Sequence, residues 1–323
     1  MWPFLPPKLE AEIEILMGSS KNSNITSNLS VIISGATGWL GLELIKILKA
    51  LDLSNLKLDL ISSKEQEIKI DNDIFTTSVF RNSRLSTPDI YFDFAFLTRE
   101  KINTFGPEKF KMINMNIINN SVKLIKLQQP KTVILASSGA IYGEGRRNHE
   151  GDNYLYSMLK QIQEDKITEV CSKIGAKLIV ARIFNLSGSG ISKINTFAIS
   201  EMIVNATKGH KLYINSNFLV FRRYCDISQL LRLLIAANNN NFIGVIDSGG
   251  IKIELHHLAQ TIINEIGSKS ELVFPDIGKN AISDEYFSKS QLYEDLILKY
   301  SNETPFSITE QINITKNFLF PVS

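Results

Sequence analysis

Val31-Ile32-Ile33-Ser34-Gly35-Ala36-Thr37-Gly38-Trp39-Leu40-Gly41 joins a short β-branched run to three glycines spaced three apart, and the amphipathic segment 42–51 follows at once. The pattern is that of a buried strand turning sharply into a helix. Each glycine has a physical task in such a turn. The first permits the tight bend, the second lets a pyrophosphate approach the backbone, and the third lets helix and strand pack closely. A helix beginning near Trp39 would direct its free N–H groups and positive end at the phosphates. The turn from Gly35 to Gly41, with Thr37, Trp39 and Leu40 between, therefore reads as the phosphate cradle of a dinucleotide.

Working outward, short β-branched runs alternate with longer helical patterns, which predicts strands at 31–34, 57–61, 90–97, 132–137 and 177–181 and helices at 39–51, 107–128 and 153–174. Strand–helix alternation specifies a parallel sheet with right-handed crossovers. Beyond about Asn185 the alternation becomes irregular, with helices expected at 196–208 and 226–238. The expected fold is α/β: a Rossmann-like doubly wound parallel sheet with a smaller C-terminal α/β substrate-binding lobe. Residues 1–28, with a helix-like stretch at 9–17, read as an extension and linker. Residues 29–185 read as the dinucleotide-binding domain, and 186–323 mainly as the lobe, with some segments returning to the sheet.

The chain has 323 residues, 44% of them apolar and 21% charged, which excludes a disordered or fibrous protein. Thirty-five Lys and Arg against thirty-three Asp and Glu leave +2, too weak a field to argue for nucleic acid or a membrane, so the expected partner is a small molecule. Cys171 and Cys225 make no disulfide framework, and the four histidines, His256 and His257 adjacent, have no metal-ligand spacing, so no metal is expected. The start Met1-Trp2-Pro3-Phe4-Leu5 lacks the features of a secretory signal, and a cytoplasmic location is expected.

The end of the second strand discriminates between dinucleotides. It reads Leu60-Ile61-Ser62-Ser63-Lys64, with no carboxylate before Glu65. An acidic residue there would bond the ribose 2′-hydroxyl of NAD, whereas hydroxyls and a lysine suit a 2′-phosphate. NADP(H) is favoured over NAD(H). Asp59 or Glu65 in another register, or a merely solvated turn at Ser62 to Lys64, are the alternatives.

Of the nine tyrosines only Tyr156 has a lysine four positions on, Lys160, which places both on one helix face. A tyrosine moving a proton near neutrality must lower its pKa from about 10 by about three units, about 4 kcal/mol. A nearby ammonium is expected to supply part of that; an ordinary exposed pair is the alternative. Ser138, at the carboxyl end of the fourth predicted strand, lies where ligands of open α/β sheets bind and would polarise a carbonyl; a turn cap is its bland role.

Together these residues resemble the extended short-chain dehydrogenase/reductases, the family of UDP-glucose 4-epimerase and other nucleotide-sugar-modifying enzymes. Gly35, Gly38 and Gly41 match its glycine spacing, Ser137-Ser138-Gly139-Ala140-Ile141-Tyr142-Gly143 its active-site strand end, and Tyr156 with Lys160 its catalytic pair. Asp93-Phe94-Ala95-Phe96-Leu97-Thr98 resembles its fourth-strand motif, with Phe96 in place of the usual histidine, and Asn116 matches its structural asparagine. The resemblance implies Ser138, Tyr156 and Lys160 as catalytic residues, and Leu97, Thr98, Asn116 and Phe184 beside the cofactor. It implies Asn185 and Arg222 on a substrate diphosphate, with Asn195, Thr196 and Phe197 on the nucleotide side. It also implies a homodimer through two long helices, although an apolar helix face serves more often as core.

Gly139-Ala140 lacks the Asp-Glu pair of the family's 4,6-dehydratases, so dehydration is disfavoured. The expected activity is NAD(P)H-dependent reduction of a keto group on a nucleotide-activated deoxysugar, with Tyr156 as acid/base. An NAD-dependent nucleotide-sugar 4-epimerase is the alternative. An oxidoreductase of a non-sugar carbonyl and a non-catalytic nucleotide-binding or scaffold protein are the outer ones.

Overall fold

In the computed structural model residues 29–51, 55–80, 87–143, 151–278 and 282–321 are described. The predicted extension at 1–28 lies outside them. β1 (Ser30–Ser34) is apolar on both faces: Val31 and Ile33 enter one core and Ile32 another. The same alternation divides β5 (Ile90–Asp93), where Phe92 faces the first core and Tyr91 the second, and β6 (Thr132–Ser138), where Ile134 opposes Val133 and Leu135. Strands buried on both faces belong to a parallel sheet covered by helices on each side.

With β2 (Lys57–Ile61), β7 (Lys177–Ile183) and β11 (Gly244–Asp247) these strands form a six-stranded parallel sheet in the order β11-β7-β6-β5-β1-β2. The chain leaves β1 for β2 on one side and returns to β5 on the other. The crevice at the carboxyl ends of β1 and β5 is thus the switch point, where ligands of such sheets bind. β3 (Gln66–Ile70) and β4 (Asp73–Thr77) form a hairpin after β2.

Helices α1 (Trp39–Ala50), α2 (Pro107–Gln128) and α3 (Gly151–Ile174) cover the sheet. Leu44 and Ile45 of α1 join the first core together with Leu230 and Leu234 of a later helix, while Leu124 of α2 and Ile167 of α3 fill the second. α2 keeps its predicted bounds because Pro107 opens it and Gln129, in the left-handed region, closes it.

The expected strand 90–97 stops at Asp93. One oxygen of the buried Asp93 carboxylate accepts the hydroxyls of Ser34 at 2.8 Å, Tyr91 at 2.9 Å and Ser121 at 2.9 Å. The following residues leave the ladder to cross the glycine turn. Gly35 has φ +69°, and a Cβ there would lie 2.8 Å from the Phe94 carbonyl oxygen and the Ala95 nitrogen.

Besides a one-turn helix (Ile102–Phe105) and two 3-10 turns (Arg99–Lys101 and Gly139–Tyr142), the remaining elements are β8 (Asn185–Ser187), α4 (Ala198–Thr207), β9 (Leu212–Tyr213), β10 (Val220–Asp226), α5 (Ile227–Asn239), β12 (Ile251–Glu254), α6 (Leu255–Ile266), β13 (Leu272–Val273), β14 (Asp284–Tyr286), α7 (Leu292–Ser301) and α8 (Ile308–Leu319). α4 begins two residues after its predicted start. β10 is central to a small sheet in which β12 runs antiparallel to it, and β14 and β8 parallel. Ile199, Ile203, Leu258, Ile262 and Ile312 make a separate core from α4, α6 and α8. β11 and α5 return to the main sheet and its first core. Among the described residues no helix is long and apolar enough to cross a membrane.

Candidate active site

The glycine turn is built around backbone contacts. A Cβ on Gly41 would stand 2.5 Å from the Gly35 carbonyl oxygen and 2.6 Å from the Ala36 Cα, so α1 packs directly on the turn. Gly38 caps α1 in extended conformation with no side-chain hydrogen bond, and the first helical bond back to it comes from Leu42 N at 2.9 Å. The N–H groups of Trp39, Leu40 and Gly41 precede that bond and, as the first turn of a helix, face outward. This cradle fits a pyrophosphate. The Trp39 indole instead reaches the lobe: it donates to Ser189 O at 2.6 Å and meets Phe197 edge-on at 5.6 Å. Phe197 is thereby drawn into packing against the cradle, while Asn195 and Thr196 stay exposed.

At the tip of β2, Ser62 is buried and its hydroxyl is tied to Lys64 O and, at 3.0 Å, to Thr77 Oγ1. Ser63 and Lys64 are exposed, so these two carry whatever the tip offers a ligand. Asp59 accepts from Ser78 at 3.4 Å within the strand region. Asn116 is exposed on α2, and the asparagine that braces the loop after β5 is Asn114, fully buried. Its Oδ1 accepts from Leu97 N at 2.8 Å. The residue that bonds this loop thus stands two positions before the asparagine that the resemblance named. The Thr98 hydroxyl joins Glu100 and Lys193 in a surface cluster.

β6 delivers Ser138 to the crevice, where its Oγ accepts from Ala140 N at 3.2 Å and caps a short 3-10 turn. The same hydroxyl lies close enough to the phenols of Tyr156 and Tyr286 to pull the pKa of each downward. Predicted Ser138 and Tyr156 are thus brought together, and Tyr286 of β14 is an addition. It sits in a three-residue strand with no flanking motif, and nothing in the sequence marked it. Its ring meets Phe184 at 5.0 Å, and Phe184 lies where a Cβ on Gly139 would be, 2.3 Å away. Phe184 also stacks on Tyr142 at 6.2 Å.

The electrostatics correct one expectation. Burial above all, with the neighbouring Tyr286 phenol second, pushes the Tyr156 pKa well above its ordinary value. Lys160 does not offset this, because its ammonium is turned away: it donates to Ala136 O at 2.8 Å and Gln163 Oε1 at 3.0 Å, and lies 3.8 Å from the centre of the Phe96 ring. Burial lowers the Lys160 pKa to about 7, against the pull of Asp93 and Glu164. At neutral pH Tyr156 is a proton donor.

One edge of the site is a polar chain. Arg182 forks onto Glu164 at 2.9 and 2.7 Å and donates to the Tyr142 hydroxyl at 2.8 Å. Tyr142 donates to Asp247 at 3.0 Å, and Ser288 to the same carboxylate at 2.6 Å. Asn185 Nδ2 donates to the backbone oxygens of Arg223 and Tyr286, both at 3.3 Å, and so ties β8 to its neighbours. Arg222 pairs with Asp284 at 2.9 Å and donates to Phe221 O at 2.8 Å. Its guanidinium stands 5.9 Å from the Tyr286 ring centre, so this ion pair borders the site.

With that geometry in place, residues 31–245 match the model of the NAD dependent epimerase/dehydratase family. The chain belongs to that family. The resemblance to extended short-chain dehydrogenase/reductases is borne out, and family membership supports an enzyme with an NAD(P)-type cofactor. The chain is similar to UDP-glucuronic acid decarboxylase 1 of Danio rerio, 25% identical over 154 residues that make up 44% of this chain and 37% of the relative. The match thus spans about a third of that curated relative. Epimerase Mth375 of Methanothermobacter thermautotrophicus superimposes with a TM-score of 0.72 at 18% identity, over 97% of this chain and 96% of that one. UDP-glucose 4-epimerase of Thermus thermophilus, in complex with NAD, gives 0.68 at 15% identity, over 91% and 100%. RMD of Pseudomonas aeruginosa, complexed with NADPH, gives 0.68 at 16% identity, over 90% and 98%. These likenesses show the fold, and it is the doubly wound α/β fold expected from the sequence. They include one NAD and one NADPH complex, and so do not choose between the dinucleotides.

Proposed function

We propose that the chain is an NAD(P)H-dependent reductase of a keto group on a nucleotide-activated deoxysugar, with NADP(H) favoured. The observation that carries this reading is the half-buried, protonated Tyr156 phenol beside the Ser138 hydroxyl at the switch point of the sheet. A bound dinucleotide supplies the hydride. Ser138 donates to the carbonyl oxygen and holds it toward Tyr156. The phenol, protonated at neutral pH, then gives its proton to the oxygen as negative charge develops there. The cradle of Gly35, Gly38 and Gly41 holds the pyrophosphate, and exposed Ser63 and Lys64 are the groups available to a 2′-phosphate.

In this reading residues 29–185 carry the dinucleotide, and β8, β10, β14 and α4 carry the sugar nucleotide. Arg222, steadied by Asp284, and Asn185 border the place of the diphosphate, with Asn195 and Thr196 at the head of α4 on the nucleotide side. A second reading, an NAD-dependent nucleotide-sugar 4-epimerase, is supported by the epimerases among the structural neighbours. Incubation with NADPH and keto-sugar nucleotides decides between them. Loss of 340-nm absorbance with formation of an alcohol supports the reductase. Interconversion of nucleotide sugars with no net oxidation, by protein carrying tightly held NAD, replaces it with the epimerase. Stabilisation by UDP, dTDP, CDP or GDP in thermal unfolding identifies the nucleotide.

A further inference from the structure

The loop 94–98 runs from the phosphate cradle to the phenol and is fixed at both ends. Phe94 and Ala95 abut Gly35, and Leu97 N is held by Asn114 at 2.8 Å. Between these anchors stands Phe96, half-buried. Its ring takes the Lys160 ammonium against its face, 3.8 Å from the centroid, and meets the Tyr156 ring edge-on at 5.8 Å and 86°. The ring belongs to the apolar cluster built on Ile102, Phe110 and Leu159, which Met115 and Leu155 also join. An ammonium has three donors. Two are used on Ala136 O and Gln163 Oε1, and the ring stands beside the ammonium.

This matters for the reading above, on which the inference rests. Phosphates seated on α1 and a hydride-donating carbon within about 3.5 Å of a sugar carbon beside Tyr156 place the intervening ribose over this loop. We propose that Phe96 gates the nicotinamide-ribose half of the dinucleotide site, its ring covering Lys160 and turning aside before the ammonium can bond the ribose hydroxyls. The adenine and phosphate half, seated on α1, lies outside its reach. Affinity for the whole dinucleotide is then reduced by the fraction of molecules in which the ring is aside, whereas affinity for the adenine half is not.

The test is calorimetric titration of wild type, Phe96→Ala and Phe96→Leu with NADPH, NAD and ADP, which lacks the nicotinamide half. Removing a desolvated cation–π contact should tighten the preferred dinucleotide about tenfold in Phe96→Ala, and less in Phe96→Leu. ADP should stay within about twofold of wild type, because its seat on the cradle is untouched. Unchanged or weaker dinucleotide binding with normal ADP binding overturns the gate and leaves the dinucleotide reading intact; weaker binding would make the ring a platform for the ligand. A parallel change for ADP also overturns it. If no variant binds dinucleotide or ADP, the site reading falls and the gate with it. Should Phe96→Ala fail to fold, Phe96→Leu decides, since it keeps an apolar side chain in the cluster and removes the flat face.

Discussion

Lys160 is the most exposed of the structure's commitments to test. The side chain is only 4% accessible, and burial lowers its pKa from 10.5 to about 7. In the unfolded chain the amine returns to its ordinary value, so between pH 7 and 10.5 the unfolded state binds more protons than the folded one. Stability from this group is therefore fully present above pH 10.5 and is lost as pH falls toward 7. With a slope of about 1.4 kcal/mol per pH unit, slightly reduced near the folded pKa, the fold should gain about 2 kcal/mol from this one group between about pH 7 and 9. The assay is urea unfolding of wild type and Lys160→Met across that range. Subtracting the two curves cancels the histidines, the N-terminus and the other lysines. Wild type should gain on the variant by about 2 kcal/mol as pH rises, and the variant should be inactive at every pH. Curves parallel to within about 0.5 kcal/mol, the size of an ordinary surface effect, would show that the amine stays hydrated in the folded chain, and its burial would be wrong.

Tyr156→Phe should lower turnover by about 10²- to 10⁴-fold, the contribution of a positioned proton donor, and leave the dinucleotide dissociation constant within about twofold. Wild-type turnover on the true substrate would remove the phenol from the chemistry. Gly41→Ala drives a methyl into backbone at 2.5 Å and should lose at least about 1–3 kcal/mol in urea unfolding. Gly38→Ala, 3.2 Å from the Gly35 oxygen, should spare stability yet weaken dinucleotide binding, and equal effects of the two would contradict their separate tasks. Asn114→Ala leaves the Leu97 N–H without its partner and should lose about 1–3 kcal/mol, while Asn116→Ala should stay within about 0.5 kcal/mol; reversal of that order would restore Asn116 to the structural position.

What the sequence made legible was whatever depends on local spacing. The glycine turn and α2, to the residue, follow from short-range pattern, and both are present; Ser138 and Tyr156 were linked by the family resemblance, and the structure sets them close together. The fourth-strand motif misled because Phe94 to Leu97 are apolar and look like strand. Their burial is against the turn and Lys160, and apolar character alone does not distinguish a ladder from a loop pressed onto a neighbour. The expected acidification of Tyr156 by Lys160 failed for a similar reason. A separation of four residues fixes the helix face, whereas the direction of the ammonium is set by Ala136 O, Gln163 and Phe96, which come from three other places in the chain or helix. Tyr286 and the Asp284 partner of Arg222 were illegible, because β14 is brought to β10 only by the tertiary fold.

The last helix has a consequence for how the chain is made. Ser187 Oγ donates to Gln311 Oε1 at 2.5 Å, Gly188 N to Thr315 Oγ1 at 2.9 Å, and Gln311 Nε2 to Tyr224 O at 3.0 Å, spanning 124, 127 and 87 residues of sequence. All of these groups are buried, so the crossing from sheet to lobe has unmet donors and acceptors until residues 311 and 315 arrive. During synthesis the N-terminal strands can pair while the ribosome still holds the tail. The junction cannot lock until residues 308–319 have been made, and a nascent chain stalled before residue 308 would expose a half-closed, protease-sensitive hinge.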